Sequence, residues 1–355
     1  MKKLILFFFL IITLPITAET NNSVAQRRAA HLRHGINLSE WFAQVYDPKG
    51  YTKEHLIGWV TADDIALIKS MGFDHVRLSV NPEPMMRHNM ADHIPPDYLG
   101  YLDEAVKMIF DQGLAVIIDM HPESEFKAKL VQQDNFVEQF SDFWRAIAQH
   151  YSTYDPEMVY FEVLNEPEFR DPYRWAGVQA KLANSIREGT PHHTIIAAGA
   201  NWSDVQDLLA MMPLADKNVI YNFHFYDPYT FTHQGATWGV NYWHFENKLA
   251  YPASMETAEK VAASEPDPVN RLECCDMGLT TGMRTASVLR SDRHRNGQST
   301  GMCRSPVTNS ACTAKFPIRR TARDGCTMSA PCWNKTALDG ACGTSALATT
   351  ARASG

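Results

Sequence analysis

The chain has 355 residues, 45% of them hydrophobic and 21% charged, ample for one large folded domain with an ordinary core. Its formal net charge of -7 gives no basis for nucleic acid or an anionic membrane surface as a partner. All seven cysteines (Cys274, Cys275, Cys303, Cys312, Cys326, Cys332 and Cys342) fall at or after position 274, and an odd count confined to a tail is no disulfide framework for the body.

Met1-Lys2-Lys3 and the apolar run from Leu4 to Ile12 form a short basic segment and a hydrophobic segment too short to span a bilayer, with Thr17-Ala18 as a cleavage site. Residues 1–18 therefore read as a signal peptide and the protein as secreted or periplasmic, with a membrane anchor as the alternative. A polar link follows, then a short strand at His34 to Leu38 ahead of Trp41-Phe42. Thr61 with Asp64 signals a helix start, and Ile65, Ile68 and Met71 keep helical spacing up to Gly72. Phe73 to Val80 is a strand with Arg77 where an apolar residue is expected, so Arg77 is either a buried ion-pair residue or a site residue. Pro96 opens a helix that Gly113 ends, and Leu114 to Met120 is an apolar strand running into His121-Pro122.

After an amphipathic helix over 136–150 comes Tyr160 to Pro167, an apolar run that stops at Asn165-Glu166-Pro167. Such a run, bounded by a proline, reads as a buried strand that turns at its C-terminal end. A carboxyl group placed there beside an amide suits proton transfer to a leaving group. Glu162 competes with Glu166, since an even offset puts both on one face; its deeper position favours an ion pair. Glu40, Glu123 and Glu125 also follow strand ends, and nothing in the sequence selects them. A helix over 172–188, a strand ending at Asn201-Trp202 and a strand ending His224-Phe225-Tyr226-Asp227-Pro228 complete six strands, each with polar or aromatic residues at its end. This alternation is the pattern of an α/β (β/α)8 TIM barrel with strands 7 and 8 missing from the chain.

Gly35-Ile36-Asn37-Leu38, Val76-Arg77-Leu78, Asp119-Met120-His121, Phe161 through Pro167 and His224-Phe225-Tyr226 stand in the order and spacing of glycoside hydrolase family 5. Phe231-Thr232-His233-Gln234-Gly235 and Trp238-Gly239-Val240 sharpen the resemblance toward its bacterial cellulase-like members over roughly residues 30–265. The resemblance implies retaining cleavage of β-glycosidic bonds without metal or cofactor, on a polysaccharide substrate of the β-glucan type, by a monomer. It implies Glu166 as general acid/base and Asn165 holding the sugar 2-OH. Arg77 would orient a carboxylate, His121, His224 and Tyr226 would line the subsite at the cut, and Trp202 would stack on a sugar. An acid in that role needs a pKa raised toward neutral, and retention needs a second carboxylate about 5 to 5.5 Å away. In the family that nucleophile lies in a Glu-Phe-Gly motif, which is found nowhere in this sequence.

Beyond about Glu273 arginine outnumbers lysine, Phe316 and Trp333 are the only aromatic residues, and no periodicity survives. New codons built from the third base of each codon and the first two of the next allow Asn-Glu-Phe-Gly-Val-Tyr across Val307 to Thr313. The same shift across Asp339 to Thr349 allows Trp-Gly-Met-Trp-Asp-Phe-Gly-Thr-Gly-Tyr, which resembles the family's eighth strand. The expectation is a single-base shift between about Ala263 and Cys274, making 274–355 a frameshifted tail. Two other readings stand beside it: a carbohydrate-binding pseudoenzyme, and a cysteine-rich metal or disulfide module. For the second, Cys326 and Cys332 are too far apart for a Cys-x2-Cys pair and Cys274-Cys275 too close.

Overall fold

Six strands lie side by side in chain order, β1 to β6, every neighbouring pair parallel. They are β1 (Gly35–Phe42), β2 (His75–Val80), β3 (Ala115–Met120), β4 (Val159–Glu162), β5 (Thr194–Ala198) and β6 (Val219–Asn222). The computed structural model describes residues 23–86, 94–239, 249–264, 268 and 271–272, and the backbone of two strand fragments, 318–319 and 327–328. The segment read as a signal peptide and nearly all of the tail lie outside them. The fragments pair antiparallel, β7 (Ile318–Arg319) with β8 (Thr327–Met328), apart from the six-stranded sheet. Among the described residues that sheet therefore ends at β1 and β6, two strands short of a closed eight-stranded barrel.

Every residue of β2, β3, β4 and β5 is buried, as expected of parallel strands covered on both faces. One face packs outward against the helices, where Val76, Leu78, Val116, Ile118, Phe161 and Ile195 join the helical residues Leu102, Phe140, Trp144 and Leu182 in one core. The other face points inward. Its lower layers, Ala115, Ile117, Tyr160, Ile196 and Ile220, are closed from below by Ala25, Ala29 and Leu32.

Ala25 and Ala29 belong to a helix, Val24–Ala29, in the stretch expected to be a polar link. Ser23 and Gln26 form its capping box, and Arg28 anchors it by donating to Glu157 at 2.7 Å, Thr194 Oγ1 at 2.9 Å and the His192 carbonyl at 2.6 Å. The packed body thus takes in residues ahead of position 30. The Thr61–Asp64 capping box is present as expected and opens Ala62–Ser70. The strands before the chemistry-bearing motifs are shorter than the sequence suggests. β4 stops at Glu162, β5 at Ala198 and β6 at Asn222, so 163–167, 199–203 and 223–228 leave the sheet as rim segments.

Candidate active site

Directly above the apolar interior layers the inward face turns polar. Arg77, Asp119, Glu162 and Asn222 each follow an inward residue of their own strand by two positions or are level with one across the ladder, so strand alternation alone aims them inside. Arg77 Nε donates to Glu162 Oε2 at 2.7 Å and Nη2 to Oε1 at 2.8 Å, a two-pronged grip that matches guanidinium to carboxylate. Nη2 also lies 3.0 Å from Asp119 Oδ2 and 3.1 Å from Asn165 Oδ1. Asn222 Nδ2 closes the ring from β6 by donating to Glu162 Oε1 at 2.8 Å. Of the two alternatives for Arg77, the buried ion pair is realised, and its contact with Asn165 ties that pair to the rim. Glu162 is the ion-pair carboxylate its depth suggested.

His121 and Asn165 sit one level higher. His121 Nδ1 is 2.9 Å from Asp119 Oδ2, and His121 Nε2 is 3.1 Å from Asn165 Nδ2. Asn165 is also held by its own N–H, which donates to the Met120 carbonyl at 2.8 Å.

Glu166 has left the strand geometry altogether. Its φ of 44° is left-handed, a sterically costly conformation for a residue with a Cβ. Glu162 and Glu166 therefore do not share one environment, contrary to simple alternation. Glu166 instead meets His224 from the β6 rim, with Nδ1 2.7 Å from Oε1. The His224 side chain is 3% exposed and Glu166's 28%, so the carboxylate opens to the cleft and the imidazole backs it.

This environment reverses the expected pKa. Burial pushes the Glu166 carboxyl up, but the His224 hydrogen bond and charge, with the charge of Lys127 and that of His121 when its ring is protonated in acid, outweigh it and hold the group down at about 2. The sequence-based expectation was a raised value. A like charge or an apolar pocket is what raises such an acid, and the one side-chain hydrogen-bond partner of Glu166 among the described residues is His224, whose ring can carry positive charge. Nε2 of His224 is buried without a hydrogen-bond partner among the described residues.

Trp202 stands beside this pair. Its N–H donates to the Pro167 carbonyl at 3.0 Å, and the next residue's carbonyl accepts from the His224 N–H at 3.0 Å, so the turn bridges the β4 and β6 rims. Asn201, Trp202 and Ser203 all have positive φ, and Trp202 remains 49% exposed. Tyr226 follows His224 on the rim, its ring 6.4 Å from His224 and 5.2 Å from His233. Tyr229 stacks on His233 at 5.1 Å, and Trp238 meets His233 edge-on at 5.3 Å, extending the aromatic wall beyond Tyr226.

Six of the seven site residues expected from the sequence thus gather at the C-terminal ends of β3 to β6, with Arg77 within β2 beneath them, and the chemistry available is proton exchange at Glu166 beside aromatic faces. Glu40 lies on β1 with φ 58°, its carboxyl pushed up by burial, and Glu123 and Glu125 are exposed near the start of the helix Ser124–Gln132. None of the three contacts Glu166 by a hydrogen bond. Sequence reasoning missed Asp119 and Asn222 as members of the polar layer. For Asp119 the signal was its even offset from Ile117 and His121, and for Asn222 the same offset from Ile220 and His224.

A parallel sheet with an acid, an amide and aromatic side chains at its C-terminal rim is an arrangement that suits a glycoside hydrolase. The family model of Cellulase (glycosyl hydrolase family 5) matches residues 41–265, more than half of the chain, and the chain belongs to that family. Endoglucanase C of Acetivibrio thermocellus is 30% identical over 238 residues, 65% of this chain and 68% of that protein. Cellodextrinase A of Ruminococcus flavefaciens is 32% identical over 213 residues, 58% of this chain and 61% of its own length. Thermotoga maritima Cel5A, in a mutant form crystallised with cellobiose, superposes with a TM-score of 0.54 at 28% identity, covering 61% of this chain and 72% of that one. The same enzyme with mannotriose gives 0.56 at 26% identity, covering 67% and 74%.

Proposed function

We propose that this protein is a secreted, retaining hydrolase of β-1,4-glucan, endoglucanase-like in action, whose chain as it stands is inactive because its nucleophile has been lost to a frame shift. The observation that carries the reading is the Glu166–His224 pair at the strand ends, flanked by Asn165 and the aromatic wall. Glu166 is the acid/base, protonating the glycosidic oxygen and then activating water. Asn165 holds the sugar 2-OH, while His121, His224 and Tyr226 line the subsite at the cut. Trp202 stacks on a sugar, and Arg77 orients the carboxylates beneath. The domain division follows: 1–18 a signal peptide, 30–265 the incomplete barrel with the helix Val24–Ala29 added as its floor, 274–355 the out-of-frame tail. No cofactor is needed, and the barrel acts as a monomer.

The second part of the reading rests on the missing Glu-Phe-Gly motif. The His224 contact holds the Glu166 carboxyl low, and a neighbouring negative charge is what would raise it toward an acid's range. Among the described residues β1 and β6 have no strand beyond them, which fits the same account, and the chain as it stands is expected to aggregate.

Resequencing the DNA for residues 260–280 tests the shift directly, and restoring the frame yields a protein whose activity can be assayed. Its hydrolysis of soluble β-glucan is expected to fall about 10²- to 10⁴-fold in Glu166→Gln with the thermal midpoint unchanged. Unchanged turnover would remove Glu166 from the mechanism. The same ionised Glu166 favours one second reading, a sugar-binding pseudoenzyme, which glucan binding without turnover by the unrepaired chain would establish. Mannan is the alternative substrate, supported by the mannotriose complex of the Thermotoga neighbour; comparing hydrolysis of glucan and mannan decides between them.

A further inference from the structure

We propose that Asp119 is a positioning residue that sets the tautomer of His121 and, through it, which way round the Asn165 amide faces. The inference deepens the proposed site and rests on Asn165 meeting the sugar. Four side chains form one line of polarity. Arg77 can only donate, so the group of Asn165 that lies 3.1 Å from its Nη2 is the oxygen. Asn165 Nδ2 then points at His121 Nε2, 3.1 Å away, and that nitrogen has to accept. The proton of the neutral ring consequently sits on Nδ1, which donates to Asp119 Oδ2 at 2.9 Å. The same Oδ2 lies 3.0 Å from Arg77 Nη2 as an ion pair, so both ends of the line meet at one guanidinium.

The opposite tautomer would break two links together. A hydrogen on Nε2 would face the hydrogens of Asn165 Nδ2, and turning the amide over to relieve this would aim Nδ2 at Arg77. Asp119 therefore leaves Asn165 one usable orientation, with the second hydrogen of Nδ2 as the donor remaining for a ligand hydroxyl. Asp119 is fully buried and its Oδ1 has no hydrogen-bond partner among the described residues, so a single oxygen performs both functions.

That asymmetry supplies the conservative variant. In Asp119→Asn the amide oxygen takes the place of Oδ2, because Arg77 repels an NH2 there, and the amino group occupies the place of Oδ1. The tautomer is retained. In Asp119→Ala nothing holds the Nδ1 proton and the lock is released.

Long-range ¹H–¹⁵N correlation spectra of histidine-labelled full chain, with His121 assigned by loss of its signals in His121→Gln, read the tautomer without any sugar. The expected result is a protonated Nδ1 and an unprotonated Nε2 in the parent and in Asp119→Asn, with Nε2–H appearing in Asp119→Ala. A parent ring carrying its proton on Nε2 overturns the proposal whether or not any variant folds, as does an unchanged tautomer in Asp119→Ala. The same spectra on the frame-restored chain remove any influence of the tail. Cellotetraose affinity is the second readout, expected to fall about tenfold in Asp119→Ala and to be recovered in Asp119→Asn. If cellotetraose binds none of the three while the tautomers follow the pattern, the sugar-binding reading of Asn165 fails and the positioning role stands. Equal weakening in both variants overturns the positioning role.

Discussion

The inside of the barrel has two storeys built from the same strands. The lower one, Ile117, Tyr160, Ile196 and Ile220 over Ala25, Ala29 and Leu32, is apolar. The upper one, Arg77, Asp119, Glu162 and Asn222, is charged and hydrogen-bonded around a single guanidinium. Both arise from inward positions along the strands, so secondary structure does not separate them. The difference lies in what a missing partner does. A methyl group removed below leaves a void, whereas a charge removed above leaves buried carboxylates uncompensated. The upper storey is the platform on which the rim residues Asn165 and His121 are fixed, and it tolerates substitution less.

The sharpest way to break this contrast is Arg77→Ala in the frame-restored protein. It strands Glu162 and Asp119 and is expected to cost about 3–5 kcal/mol in urea unfolding. A loss under about 1 kcal/mol would show that the upper storey is hydrated and not a buried network. Ile117→Ala below should cost about 2–4 kcal/mol, with the same value at pH 5 and pH 8, because no titrating group is involved. A pH-dependent loss there would tie the two storeys together.

The rim gives an effect of definite sign. In the chain as it stands the folded pKa of Glu166, about 2, lies below its ordinary value of 4.5. The stability this provides is present above pH 4.5 and is lost as pH falls toward 2. The urea midpoint of soluble chain is expected to drop across that window, and His224→Ala to flatten the drop. In the frame-restored protein the added carboxylate moves the Glu166 titration upward, as ¹³C shifts of its carboxyl group would record; a titration still near 2 would count against a neighbouring nucleophile. The smallest expected effect is Trp202→Gly. Glycine relieves the left-handed backbone at φ 59°, so stability should rise by about 1 kcal/mol while β-glucan affinity falls. A loss of stability would mean that the indole packs more than its 49% exposure suggests.

How far the sequence carried can be judged residue by residue. Strand and helix order from β1 to β6, the Thr61 capping box and the gathering of Glu166, His121, His224 and Tyr226 at strand ends were all legible. They depend on local periodicity, caps and prolines, which act over a few residues. The helix at Val24–Ala29 was missed because its justification is distant: Arg28 reaches Glu157 and Thr194 across the floor of the barrel. For Asn222 alternation from Ile220 gives the inward face, but its partner Glu162 lies 60 residues away and nothing local names it.

By itself, then, the sequence determined the strand order, the family-like motifs and the absence of Glu-Phe-Gly, all properties of neighbours along the chain. Only the tertiary structure decided what those groups become. Arg77 joined Glu162 across the interior, and Glu166 turned out of register to meet His224, which took its pKa down where up was expected. Each of those outcomes is an electrostatic balance among groups tens of residues apart in sequence and about 3 Å apart in space, and no stretch of sequence holds both partners.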